Sequence, residues 1–406
     1  MLHASVTPSL PTELWLAIFR WATLDPWTHA LFTSEYHPFD AVSLNVGTVE
    51  TRYTKRALVL VCKQWRQWTT SLLYEDIVIP FAHRSLGQVL RFGQDWEDGT
   101  SIPPCANLVR RAHLPYSSTV TPSSTPVAIL DLLELCSSLE VLVRTADALQ
   151  PLSYEFPTTC PPFPSLKRLD WWHHNDAART GGINSLPHVL GLSPNLEYLS
   201  VGGEIWASYL NTPAVHLARL TTLRLRRVNA FFLLKICRFT LPALHHVVFD
   251  HIANAEIFWP FWTTFGPQIR TVELGLSLKF YIQDFLSHVL VGCPHLEALN
   301  YYVHFTASPP LVGGGDDESE SDGHPPLAME SLKVVGLHAH PNSFFRVGSA
   351  EYWAHLGRHF DALCQPTFPA IKRVMLYGDW SAVIGDEEFG RIAQPLRDKG
   401  CSVEVA

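Results

Sequence analysis

Residues 193–201 read SPNLEYLSV and residues 218–228 read ARLTTLRLRRV. Each holds an apolar residue, two variable ones, a second apolar residue, one variable and a third apolar residue. In these two copies the apolar set is Leu196, Leu199 and Val201, then Leu220, Leu223 and Leu225. Along a short strand successive side chains take opposite faces. The first, fourth and sixth positions of the unit therefore point inward, and the third and fifth point outward.

Working outward, the unit recurs as LPALHHVVFD (241–250), GPQIRTVEL (266–274), CPHLEALNYY (293–302), MESLKVVGL (329–337) and FPAIKRVML (368–376). Earlier copies are CSSLEVLV (136–143) and FPSLKRLDWW (163–172), with a degraded one in CANLVRRAHL (105–114). The anchors Leu139, Leu166, Leu196, Leu220, Leu244, Ile269 and Leu296 follow one another at 24 to 30 residues, and the last two, Leu332 and Ile371, come after 36 and 39. Helix-like stretches separate the copies, at 127–136, 185–192, 231–239, 283–291 and 350–364. A single unit cannot bury its apolar face, whereas stacked units build one continuous core. The spacing and pattern resemble leucine-rich repeats. The predicted fold class is α/β: a short α-helical hairpin, then a solenoid of parallel strands and helices with the strands on its concave side.

Ahead of the repeats lie two further apolar patterns. Leu10, Leu14, Ile18 and Phe19 in LPTELWLAIF (10–19) share one face of a short helix opened by Pro11 and Thr12. Leu58, Val61, Cys62 and Trp65 repeat the idea in RALVLVCKQWRQWTTSLLY (56–74). The paired pattern L-P-x-E-L-x-x-x-I-F and L-x-x-V-C-x-x-W resembles an F-box, and the whole chain resembles fungal F-box-like proteins with irregular leucine-rich repeats. An F-box docks on a Skp-type adaptor of cullin–RING ubiquitin ligases. The resemblance implies that Leu10, Pro11, Leu14, Ile18, Phe19, Leu58, Val61, Cys62 and Trp65 meet such an adaptor. It departs from the usual pattern by an aromatic-rich insertion at about 24–53.

The domain layout expected is an F-box-like unit over 1–80, a linker over 81–104 and the solenoid over 105–406. Inside the solenoid, residues 309–326 contain GGGDDESESDG, which is acidic and poor in apolar groups and reads as a disordered loop. Its Ser319 and Ser321 suit an acidophilic kinase.

A formal charge of −8 argues against nucleic acid as a partner. No run of eighteen apolar residues is present and the first residues carry no secretory pattern, so an intracellular chain with reduced thiols and no membrane partner is expected. The eight cysteines include no C-x-x-C pair. Cys105, Cys136 and Cys293 each stand three residues before a repeat leucine, which suits burial at a turn. The pairs His173-His174 and His245-His246 would point to opposite sides of a strand, so no metal and no cofactor is expected. Nucleotide-binding and nucleophile-elbow motifs are absent, so no catalytic residues are assigned.

Outward positions instead suggest binding. Arg168, Asp170, Trp172, Tyr198, Arg224, Arg226, Asp250, Tyr302 and Tyr377, with His246, Glu273, Asn300 and Arg373, are expected to form an exposed concave strip. Its aromatic and arginine content suits a protein interface. The resulting expectation is a non-catalytic substrate receptor of a Skp–cullin–F-box ligase, holding an unidentified target protein on the solenoid. The alternative is a binding scaffold whose N-terminal helices only cap the repeats.

Overall fold

The computed structural model describes residues 10–23, 32–40, 49–79, 84–91, 94–95, 101–102, 104–113, 133–144, 162–173, 190–203, 215–251, 258–309 and 328–406. The acidic loop beyond Pro309, with Ser319 and Ser321, lies outside them, as do most of the helix-like stretches expected at 127–136 and 185–192.

Among the described residues twelve strands form one sheet in chain order. They are β1 (Asp76–Val78), β2 (Arg111–His113), β3 (Val141–Arg144), β4 (Arg168–His173), β5 (Tyr198–Gly203) and β6 (Thr222–Val228). β7 (His246–Phe249), β8 (Thr271–Leu274), β9 (Ala298–Tyr302), β10 (Val334–His338), β11 (Arg373–Tyr377) and β12 (Ser402–Val405) complete it. Every neighbouring pair is parallel, and equivalent repeat positions stand opposite one another: Leu199 beside Leu223, Leu223 beside Val247, Val272 beside Leu299. The chain is a leucine-rich-repeat-like solenoid.

The anchor residue explains how each repeat enters its strand. From Leu139 to Leu332 its amide donates to the carbonyl three residues earlier, as in Leu196 to Ser193, Leu244 to Leu241, Ile269 to Gly266 and Leu296 to Cys293. This tight turn reverses the chain, and the strand begins two residues later. The inward side chains Leu196, Leu199, Val201, Leu220, Leu223 and Leu225 all belong to a continuous apolar core running the length of the sheet. Helices back it, among them Ala230–Ile236, Phe285–Gly292, Ala350–Leu363 and Glu387–Asp398. Cys105, Cys136 and Cys293 are buried beside the turns, and burial raises the Cys136 and Cys293 thiols to about 12.

The N-terminal helices are α1 (Thr12–Ala22), α2 (Val49–Val61) and α3 (Lys63–Tyr74). α2 starts earlier than the second apolar stretch suggested, taking in the last residues of the expected insertion. Cys62 separates α2 from α3 and caps the latter, its sulfur accepting from the Trp65 amide at 3.4 Å. Phe19 packs on Trp65 with ring centroids 4.6 Å apart, and Trp15 lies 5.3 Å from the same ring.

α3 runs into β1 with only Glu75 between them. The Glu75 carboxylate accepts from Lys55 at 3.0 Å and sits 3.5 Å from Arg20, while its carbonyl accepts from the amides of Arg110 and Arg111. Arg111 also grips Asp76 through both carboxylate oxygens at 2.9 Å. The sheet therefore begins at Asp76, before residue 105. The stretch expected as a linker carries the helix Arg84–Arg91 and a small antiparallel ribbon, Gln94–Asp95 with Ser101–Ile102.

Candidate functional site

The outward residues do lie on the side of the sheet opposite the leucine core, but they are not an open strip. Arg168, Asp170, Tyr198, Arg224, Arg226, Glu273 and Asn300 are buried, while Trp172, His246, Asp250, Tyr302 and Tyr377 are half-buried. Arg373 alone of the set is exposed, in a rim cleft shared with Arg270, Lys333 and Lys372. Residues 32–40, from the middle of the insertion, cross the concave face as a strap. The expectation of an exposed target surface at Arg168, Asp170, Tyr198, Arg224 and Arg226 is thereby corrected: all five are buried, and Arg168 and Arg224 are paired inside the protein with Asp40, Asp170 and Asp250.

The strap meets seven of the twelve strands, β4 and β6 to β11. Phe32 lies under the Arg110 guanidinium, 4.9 Å from its carbon. The Thr33 carbonyl accepts from Arg168 on β4 at 3.2 Å, and the Ser34 hydroxyl donates to Glu197 just ahead of β5. Tyr36 stacks on His246 of β7 at 4.8 Å. Its hydroxyl donates to Glu273 on β8 and accepts from the Asn300 amide on β9, both at 2.7 Å. The Phe39 amide donates to the same Glu273 oxygen at 2.8 Å. The Phe39 ring fills a box made by Tyr302, His338 and Tyr377, with centroids 4.9–5.0 Å away. The chain then turns back: the Asp40 carbonyl accepts from Arg224 on β6, and its carboxylate lies 3.8 Å from Arg168.

Local sequence shapes the turn. The Asp40 amide donates to the His37 carbonyl, with Pro38 at the second position and Phe39 at the third. Phe39 has φ 58°, a left-handed conformation that glycine usually supplies at that position. The ring contacts hold it there. On the sheet side, Gly336 makes room: a Cβ at that position would run into the Asn300 amide and come within 3.1 Å of the Tyr377 ring.

Electrostatics follow from burial. Arg224 forks onto Asp250 at 2.7 and 2.8 Å; burial works against its charge, but Asp250, Tyr198 and Glu273 together keep its pKa well above the usual. Burial also opposes the Asp170 charge, and Arg168 and Arg226 overcome it, lowering that carboxyl. Glu273 goes the other way. Burial raises it to about 7 despite the Arg224 cation and the hydrogen bonds from Phe39 and Tyr36. Burial and then the Glu273 charge push the Tyr36 phenol well above its ordinary value. His246 and His338 are each lowered to about 4, first by burial and then by a neighbouring histidine. Arg226 packs over Trp172 at 5.6 Å, and burial lowers its pKa.

The hairpin residues divide differently. Leu10, Leu14 and Ile18 are 43–49% exposed, and Val61 is 59% exposed; Pro11 and Cys62 also face solvent. Phe19 is buried between the helices, and Trp65 and Leu58 are half-buried. Phe19 is thus a core residue of the hairpin, because α1 has to bury one side on α3. Sequence reasoning missed Tyr36, Phe39 and Asp40, and also Leu60 and Trp21, both 79% exposed. The aromatic richness of the insertion was the one available signal for the strap.

Among the described residues no group of three or more His, Cys, Asp or Glu side chains could hold a metal ion, and no helix is long and apolar enough to cross a membrane.

No family model matches the sequence, and no curated protein matches it. Among solved structures, the chain is similar to the leucine-rich repeat-containing protein LegL7 from Legionella pneumophila. The TM-score is 0.37 at 14% identity, covering 72% of this chain and 91% of that one.

Proposed function

We propose that the protein is a non-catalytic substrate-recognition subunit of a Skp–cullin–F-box type ubiquitin ligase. In this reading the helical hairpin holds the adaptor, and the solenoid holds a protein target. Such a subunit accelerates ubiquitin transfer by holding target and carrier together rather than by side-chain chemistry. The observation that carries the reading is the unequal treatment of apolar side chains. The repeat strands bury their inward apolar side chains, and the apolar groups the repeats do expose, such as Phe231, Ile282 and Phe344, are spread along the array. Leu10, Leu14, Leu16, Ile18, Trp21, Leu60 and Val61 instead stand in solvent together on α1, the residues just before it, and α2. Exposed apolar side chains concentrated on one small unit mark an interaction surface.

A second reading is favoured by Glu75. Its ties to Lys55, Arg20 and the amides ahead of β2 make the hairpin a cap on the first strand, and repeat arrays need such caps for solubility. A capped scaffold without ligase association is therefore the alternative. The two differ in one measurement. With the full chain co-expressed with a Skp-type adaptor, Leu14→Asp with Ile18→Asp should abolish co-purification and leave the melting temperature unchanged. Adaptor capture by the variant equal to wild type would remove the ligase reading and leave the scaffold.

A further inference from the structure

The strap behaves as a bound ligand more than as a piece of core. No strand ladder joins residues 32–40 to the sheet among the described residues; the contacts are side chain to backbone and side chain to side chain. They include a phenol between a carboxylate and an amide, an aromatic ring in a three-sided aromatic box, and an acidic residue between two arginines. This is how a groove reads an extended peptide, with pockets taking particular side chains.

What the strap covers is also telling. Its removal would open Glu273, Asn300, Arg168, Arg224 and the box of Tyr302, His338 and Tyr377, groups that water can solvate. The leucine core on the other side of the sheet would stay closed. The seated strap moreover carries strain, since Phe39 holds a left-handed backbone that a bulky side chain disfavours. Glu273 is desolvated beneath it, which raises its carboxyl.

We infer that the concave face is a groove for an extended segment of a partner protein carrying two aromatic side chains and a following carboxylate, spaced as in Tyr36, Phe39 and Asp40. Residues 32–40 are its resident copy, and a partner gains the face by displacing them. This rests on the reading of the solenoid as the target-holding module, and not on adaptor docking. The phenol of the incoming segment pairs with Glu273 and Asn300, its second ring enters the box, its carboxylate meets Arg168, and the carbonyl of that acidic residue accepts from Arg224.

The test uses the full chain and a fluorescent peptide of residues 31–41, LFTSEYHPFDA. In a Tyr36→Ala, Phe39→Gly variant the resident copy loses both rings, and glycine accepts the left-handed turn. Anisotropy should show that this variant binds the peptide at least tenfold more tightly than wild type. A peptide carrying the same two substitutions should bind neither. A folded variant that binds no better than wild type would overturn the proposal, and so would a variant that loses its cooperative melt, because the strap would then be core. Hydrogen exchange on the wild-type chain reads displacement without any substitution. The Phe39 amide should exchange at least tenfold faster than the Val272 amide beneath it; equal protection would also overturn the inference. Adaptor capture is read on the same samples. Its loss with peptide binding intact counts only against the ligase reading, and the reverse result only against the groove.

Discussion

The Tyr36 hydroxyl donates to the Glu273 carboxylate at 2.7 Å, although 237 positions separate them. That one bond ties an N-terminal insertion to the middle strand of a repeat array. It sits where a negative charge is costly, which sets up a dependence on pH. The unfolded Glu273 carboxyl titrates near its ordinary value of 4.5 and the folded one at about 7. Between those values the folded chain holds the extra proton, so this group's contribution falls as pH rises toward 7 and stays low above it. Glu273→Gln keeps an acceptor for Tyr36 and Phe39 and removes the charge. The variant should melt higher than wild type at pH 8, and its advantage should vanish by pH 5. An advantage that grows on acidification would contradict the assignment.

The histidines act in the opposite sense. His246, His304 and His338 are each lowered to about 4, chiefly by burial, from an ordinary 6.5. Below pH 6.5 the unfolded chain takes up protons that the folded one refuses, so stability falls as pH drops from about 6.5 to 4. Three such groups outnumber Glu273. Urea midpoints for wild type should therefore decline steadily from pH 7 to 5, and a flat profile would show that these rings are solvated.

Arg224 looks on sequence like a surface side chain whose loss would be nearly free. Its fork on Asp250 and its bond to the Asp40 carbonyl say otherwise. Arg224→Ala leaves a carboxylate unpaired in a covered site and should cost about 3–5 kcal/mol, the usual penalty for breaking a buried pair from one side. Urea denaturation measures it; a change below about 1 kcal/mol would place Arg224 in solvent.

Leu223 is fully buried on β6. Leu223→Ala should cost about 2–5 kcal/mol, whereas Leu60→Ala on the exposed face of α2 should stay within about 0.5 kcal/mol. Equal costs would mean that the two helices and the repeats do not differ in burial.

Gly336 faces Asn300, the donor to Tyr36. Gly336→Ala should push the Asn300 amide aside and cost about 1–3 kcal/mol by overpacking. Near-ultraviolet circular dichroism should report a changed environment for the strap aromatics. An unchanged spectrum and melt would show that the added methyl is accommodated.

The repeats were legible in the chain because the information is local. Leu196, Leu199 and Val201 lie within six residues, and the same arrangement returns often enough to fix both the period and the inward face. The strands and their parallel order follow from stacking alone. The strap was not legible, because TSEYHPFD carries no periodicity and its partners stand between 128 positions away, from Asp40 to Arg168, and 338 positions away, from Phe39 to Tyr377. Alternation correctly told which side Arg224 and Glu273 take; it cannot tell whether that side is covered. Phe19 illustrates the same limit on the hairpin, where one helical face must serve both the packing on Trp65 and the solvent-facing row of Leu14 and Ile18.

The direct run of α3 into β1 through Glu75 has a mechanical consequence. With a single residue at the joint, its carboxylate clamped by Lys55 and its carbonyl held by two amides of the next repeat, the hairpin has no swivel. Anything that grips α1 turns the whole array with it, and the bearing between the grip and the groove is constant. The distance from α1 to any given strand is then a fixed property of the chain, set by how many repeats lie between Asp76 and that strand.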